Sequence, residues 1–325
     1  MPYDVKLSTD GRTYWHFHDW SIKNYPQFWE ELWNFYGVIS SKPYTQPSRK
    51  KGDRIIDVEW FPGAELNYAE NILRYRDDGV ALICVDEDGN EENVTFAQMF
   101  EEVKLYAAAF KRSAFRRGDR VACYMSNRRE AIYAMLAAAS IGAMFGGPLP
   151  FTGKAVAAIM DIMKPKFLIS IDRFQFNKDE IDILERLPEI ANEQDCIEKL
   201  LLGRILGRGR AADGSVPDLV FEQFHSIILS SLTSHQAPQV YQGPRSLSRT
   251  LLPLLRDFGL HCNLDRNSVT LAMQPVGWNL WNLYVGNLML GSSLLLYDGL
   301  PCFLSKTAFW DIMDRYKVTF TLHSH

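Results

Sequence analysis

Apolar residues recur at helical spacing through DWSIKNYPQFWEELWNFYGV, residues 19–38, where Phe28, Leu32 and Phe35 share one stripe with Trp29 and Trp33 beside it. This pattern predicts one amphipathic helix whose aromatic face packs on the body of the protein. A basic, proline-containing connector, KPYTQPSRKKGDR, follows. From Gly79 the period changes. VALICVDEDGNEENVTF reads as a strand, a turn at Asp88–Gly89–Asn90 and a second strand, and TFAQMFEEVKLYAAAFKR as a helix capped by Thr95. GDRVACYMSN and KPKFLISI read as strands around the helix REAIYAMLAAASIGAMF.

FNKDEIDILERLPEI, residues 176–190, carries apolar positions at helical spacing and predicts another amphipathic helix. GRILGRGRAADGSVPD then reads as a surface loop or linker. The rhythm resumes with the strand SIILSS and a helix bearing Leu251, Leu252, Leu255 and Phe258. Strands follow in SVTLAMQPVGWNLW, SSLLLYDGL and KVTFTLHSH, with AFWDIMDRY as a helix between the last two. Strands alternating with helices predict an α/β fold with doubly wound, parallel or mixed sheets behind a Trp-rich helical N-terminal segment. Three parts are expected: residues 1–76, a first α/β subdomain at 77–225, and a partial second one at 226–325.

Composition narrows the function classes. Hydrophobic residues make up 47% and charged residues 23% of 325 positions, an ordinary globular mix. A net charge of -4 gives no nucleic-acid footprint, because binding to phosphate backbones runs on clustered positive charge. No run reaches the roughly 18 apolar residues of a membrane span, and the N-terminus has no apolar core of signal-peptide type. Five scattered cysteines without CxxC argue against a disulfide framework. The expected location is cytoplasmic.

WFPGAELNYAEN at Trp60–Asn71, together with TFAQMFEEV, GDRVACYMSN, AMLAAASIGAMF, QPVGWNLWN and LLYDGLP, resembles the acyl-CoA synthetases of the adenylate-forming superfamily. WSIKNYPQFWEELWNF and VGWNLWN favour the acetoacetate-activating members over those acting on acetate or propionate. The resemblance covers most of this chain and about the first half of a typical member. It implies a two-step ligase reaction: acetoacetate attacks the α-phosphate of ATP, with Mg²⁺, and coenzyme A then displaces AMP from the acyl-adenylate. It also implies that the acyl-pocket loop, the ribose-binding aspartate and the catalytic lysine lie beyond the point matching His325. On that reading this chain holds no catalytic residue of its own.

In such proteins the phosphate loop reads Ser-Ser-Gly-Thr-Thr-Gly-x-Pro-Lys. Here SSLTSHQAPQ stands at the matching place, after a strand and before a helix. Ser230, Ser231, Thr233 and Pro238 match, and Ser234 replaces a threonine. Leu232 and His235 replace glycines, Gln239 replaces the lysine, and the stretch is one residue longer. A Cβ where backbone must approach a phosphate costs about 1–2 kcal/mol. A lost lysine removes a charge-assisted bond worth about 1.5–3 kcal/mol. The expectation is a degenerate loop, the alternative being a rearranged one that binds through hydroxyls and backbone N–H groups. Elsewhere Ser126 stands where the family often has proline, and GGPLPF replaces a serine-rich stretch. Gly277 and Trp278 of the intact VGW are the expected substrate-pocket residues.

Weaker signals carry bland readings. His16 and His18 would face one way on an extended segment, but lack the further ligands a metal needs. Asp311 and Asp314 read as an exposed helix face, and the terminal HSH as a frayed end. His225 and Ser226 have no oriented acid after them to make a nucleophilic pair. Two functions stay open at this point: an acetoacetate–CoA ligase-like chain, inactive or a fragment, and a non-catalytic pseudoenzyme acting as a binding module.

Overall fold

A computed structural model describes residues 12–54, 57–147, 153–187, 190, 196–202, 226–227, 245–246, 248–277, 279–299 and 305–322. In chain order the elements are α1 (Arg12–Lys23), α2 (Tyr25–Phe35), β1 (Ser48–Lys50), β2 (Val58–Trp60), α3 (Tyr68–Ile72), β3 (Val80–Asp86), β4 (Glu91–Thr95) and α4 (Phe96–Arg112). Next come β5 (Arg120–Tyr124), α5 (Arg129–Ile141), β6 (Met144–Gly146), α6 (Gly153–Met163), β7 (Phe167–Ser170), β8 (Arg173–Phe176), β9 (Asp179–Asp182) and β10 (Lys199–Leu202). The last are β11 (Ser226–Ile227), β12 (Arg245–Ser246), α7 (Ser248–Leu254), β13 (Val269–Ala272), α8 (Asn279–Gly286), β14 (Ser293–Asp298), α9 (Ala308–Arg315) and β15 (Phe320–Leu322).

Two sheets organise these elements. One is four-stranded and all parallel, in the order β10-β7-β5-β6. The other is five-stranded, in the order β15-β13-β14-β3-β4, and parallel except for the β3–β4 hairpin. The five-stranded sheet therefore joins strands from both sides of the boundary expected at residue 225. The α/β expectation, with parallel and mixed sheets, holds.

Local chemistry explains several boundaries. Thr95 and Gln98 form a capping box at the start of α4, each side chain answering the other's backbone N–H. Every residue of α5 from Ala131 to Ile141 is buried, and its alanines let α3 and α4 approach closely. Fully buried Asn67 donates to the carbonyls of Ala139 and Ser140 at 3.1 and 3.3 Å, satisfying orphan acceptors at the end of α5. Leu251, Leu252, Leu255 and Phe258 are all buried, as their stripe predicted.

Three expectations need correction. Residues 19–38 are not one helix: the chain breaks at Asn24 and restarts with Pro26 in the first turn of α2, where a missing N–H is tolerated. Within α2 the buried face runs through Leu32 and Trp33, and Trp33 stacks on Phe61 at 4.7 Å, while Phe35, the last residue of the helix, is 59% exposed. Residues 176–190 do not begin as a helix. Phe176 ends β8, and β8 and β9 pair antiparallel across a two-residue turn, Asn177–Lys178, with φ of 55° and 65°. In SVTLAMQPVGWNLW the strand ends at Ala272 and helix α8 begins at Asn279.

Candidate functional site

The C-terminal ends of parallel strands from both sheets converge. Beyond β5 run Met125–Asn127, beyond β13 run Met273–Val276, and β14 ends at Tyr297–Asp298 before Gly299. Open α/β sheets place ligands at such strand ends. A cavity of about 100 Å³ lies there, lined by Met125, Ser126, Phe174, Phe176, Val276 and Tyr297 among others. Its walls are mainly apolar. Polar groups interrupt them, among them the Ser126 and Tyr297 hydroxyls, which are buried with no hydrogen-bond partner among the described residues. Burial, with Glu87, Asp86 and Asp298 adding to it, pushes the Tyr297 phenol up to about 12, so it stays a neutral donor.

Behind this cavity lies a larger polar one of about 310 Å³, whose lining includes Asp86, Glu92, Arg128, Arg129 and Asp298. Arg128 pairs with Asp298 across the two sheets, and Arg129 pairs with Glu92. Asn127 lines both cavities and accepts a bond from the indole N–H of fully buried Trp281 at 2.9 Å. These contacts fix the β5–α5 loop against the five-stranded sheet.

Gly277 sits at the edge of the small cavity, beside Val276, with φ of 80°. A Cβ built on it would lie 2.6 Å from the Gly147 nitrogen, and one on Gly147 would lie 2.3 Å from the Cys123 carbonyl oxygen. Backbone therefore packs on backbone here, between the loops that follow β6 and β13, and only glycine fits. Trp278 lies outside the described residues. So do Ser230, Ser231, Thr233, Ser234 and Gln239, the residues expected to form the phosphate loop, together with His225 and the terminal HSH.

His16 and His18 lie inside α1, not on an extended segment, so a two-residue spacing sends them to different faces. His18 instead stacks on Tyr14 at 6.1 Å. Asp311 and Asp314 are exposed on α9. Phe174 and Phe176 were missed by the sequence reading, which left Phe174 unassigned and made Phe176 the first residue of a helix. Their alternation with Arg173 and Gln175 was the available signal. Among the described residues no helix is long and apolar enough to cross a membrane.

Comparison with known proteins fits this geometry. Residues 69–211 match the family model of AMP-binding enzymes, and residues 14–72 match that of the acetyl-coenzyme A synthetase N-terminus. The acetoacetyl-CoA synthetase of Mus musculus is 34% identical over 93% of this chain, which covers 48% of that protein. That of Danio rerio is 34% identical over 93% of the chain and 49% of its own length. The solved acetoacetyl-CoA synthetase from Streptomyces lividans superposes with a TM-score of 0.81 at 30% identity, covering 94% of this chain and 49% of that one. The chain thus spans about half the length of these relatives. In sequence and in fold it is an acetoacetyl-CoA synthetase-like polypeptide of the adenylate-forming superfamily, matching the N-terminal half of the longer proteins.

Proposed function

We propose that this chain supplies the N-terminal half of an acid–thiol ligase scaffold that activates acetoacetate with ATP for transfer to coenzyme A. The observation that carries the proposal is the likeness to acetoacetyl-CoA synthetases over 93% of the chain, with a cleft where strands of both sheets end. In the first step the acetoacetate carboxylate attacks the α-phosphate of ATP, and pyrophosphate leaves. Protein groups position the reactants and offset charge in such chemistry. The hydroxyls of Ser230, Ser231, Thr233 and Ser234 and the amide of Gln239 are the groups this chain would offer to the β- and γ-phosphates. Gln239 brings no charge, and Leu232 and His235 place Cβ atoms where the backbone must come close. The grip on phosphate is accordingly weakened. Among the described residues no group of three or more His, Cys, Asp and Glu is placed to hold a metal ion, so no step is assigned to Mg²⁺.

A chimera tests both parts. This chain replaces the matching half of the Streptomyces lividans enzyme, once with SSLTSHQAPQ and once with the loop restored to Ser-Ser-Gly-Thr-Thr-Gly-x-Pro-Lys. The restored chimera is expected to catalyse acetoacetate-dependent exchange of pyrophosphate into ATP. The native-loop chimera should be at least about 100-fold slower, the size of one lost electrostatic contact. A folded restored chimera without exchange would overturn the ligase reading, and equal rates would overturn the weakened loop.

A further inference from the structure

The β8–β9 hairpin belongs to neither large sheet: among the described residues its two strands pair only with each other. Such a ribbon is marginal on its own in water, so its position depends on what it touches. At its base, the N–H of Ile183 donates to the Asp172 carbonyl at 2.8 Å. At its tip, the successive N–H groups of Asn177 and Lys178, both left-handed, donate to the two oxygens of Glu87 at 2.9 and 2.6 Å. Consecutive N–H groups in this conformation form a concavity suited to an anion, and here a buried carboxylate occupies it. Gly299 leaves room for that carboxylate, because a Cβ there would lie 2.2 Å from the Glu87 side chain. Between base and tip, Phe174 and Phe176 face the small cavity. Phe174 is 2% exposed and belongs to the main hydrophobic core, with Phe176 and Ile181 packed against it. The polar side-chain ties are weaker: Gln175 donates to Asp88 at 2.8 Å on exposed side chains, and Arg173 pairs with Glu180 within the hairpin itself.

We propose that the β8–β9 hairpin is a movable wall of the cavity between the sheets, and that the Glu87 carboxylate is the latch that holds it shut. Hinged at Asp172 and Ile183, the wall swings out when the tip is released, and Ser126 and Tyr297 meet solvent or a ligand. The latch works whether or not the chain activates an acyl group. It therefore stands apart from the ligase proposal.

The test places a reporter thiol in the cavity. Ser126→Cys is labelled with N-ethylmaleimide in three backgrounds, unchanged, Glu87→Gln and Glu87→Ala, and read by peptide mass spectrometry. The fully buried Cys123 reports global unfolding in the same sample. Labelling of the Ser126→Cys thiol should rise at least about 10-fold in Glu87→Ala, the change from removing a bond to a charged group. Glu87→Gln, which keeps one acceptor oxygen but turns an amide N–H toward the donors, should lie between, with Cys123 silent in both. Equal rates in all three overturn the latch. If Glu87→Ala also labels Cys123, Glu87→Gln decides: faster labelling with Cys123 silent supports the latch, and no change overturns it.

Discussion

Two β-hairpins of this chain, β3–β4 and β8–β9, are held shut by neighbouring carboxylates that work in opposite ways. In β3–β4 the Asp86 side chain accepts from the N–H groups of Asp88 and Asn90, at 3.0 and 2.9 Å, and from the Asn90 amide at 2.8 Å. Gly89, with φ of 80°, completes the turn by donating to the Asp86 carbonyl. Everything that closes this turn lies within five residues. In β8–β9 the turn has no glycine, and its N–H groups are met by Glu87, some 90 residues away. One turn is set by its own sequence and the other by the fold around it.

The largest effect should come where the second arrangement is tightest. Gly299 has φ of 141° and packs on Glu87, so Gly299→Ala adds backbone strain and pushes the carboxylate from the turn. Strain of about 1–2 kcal/mol and weakened charge-assisted bonds together give an expected loss of about 3 kcal/mol. Urea unfolding measures the loss, and hydrogen exchange locates it. The amides of Asn177 and Lys178 should lose protection while those of Gly89 and Asn90 keep theirs. A loss under about 1 kcal/mol would show that Glu87 can move at little cost, because the strain term alone would then account for it.

The same contrast explains which parts of the fold were legible in the sequence. The β3–β4 turn carries Asp and Gly at the positions its geometry requires, and Thr95 with Gln98 spell out a capping box. Both signals are local. Asn177–Lys178 carries only half of such a signal, since asparagine tolerates the left-handed region and lysine does not, and the apolar residues after it also fit a helical period, so the stretch read as a helix until tertiary partners chose otherwise. The candidate site divides similarly. Gly277 could be singled out from VGW, but its partner Gly147 is fixed only by the approach of two loops far apart in sequence. Tyr297 sits in a stretch already noted for family likeness, yet nothing local shows that its hydroxyl faces a cavity.

A middling effect is expected at the first hairpin. Asp86→Ala removes three side-chain bonds at an exposed turn, where water can replace most of them. The expected loss is about 1 kcal/mol, typical of a side-chain-to-backbone bond that organises a local turn. Exchange at Asp88 and Asn90 should quicken, and exchange at Asn177 and Lys178 should stay as it was. Faster exchange at the second turn would mean that the two carboxylates act as one unit.

The smallest effect is the most discriminating. Lys178 is exposed and holds φ of 65°, a conformation that costs a side-chain-bearing residue about 1–2 kcal/mol. Lys178→Gly relieves that strain, but glycine adds about 0.5–1 kcal/mol of chain entropy to the unfolded state. The net gain should be about 0.5 kcal/mol, read as a shift in the urea midpoint. Its origin shows in the Glu87→Ala background. If the latch imposes the left-handed turn, removing Glu87 lets Lys178 relax and the gain from glycine disappears. If strand pairing imposes it, the gain is the same in both backgrounds, since distant causes add. Disappearance is the expected outcome. An undiminished gain would mean that the second hairpin sets its own turn as the first does, and that the carboxylate beneath it only fills a concavity already made.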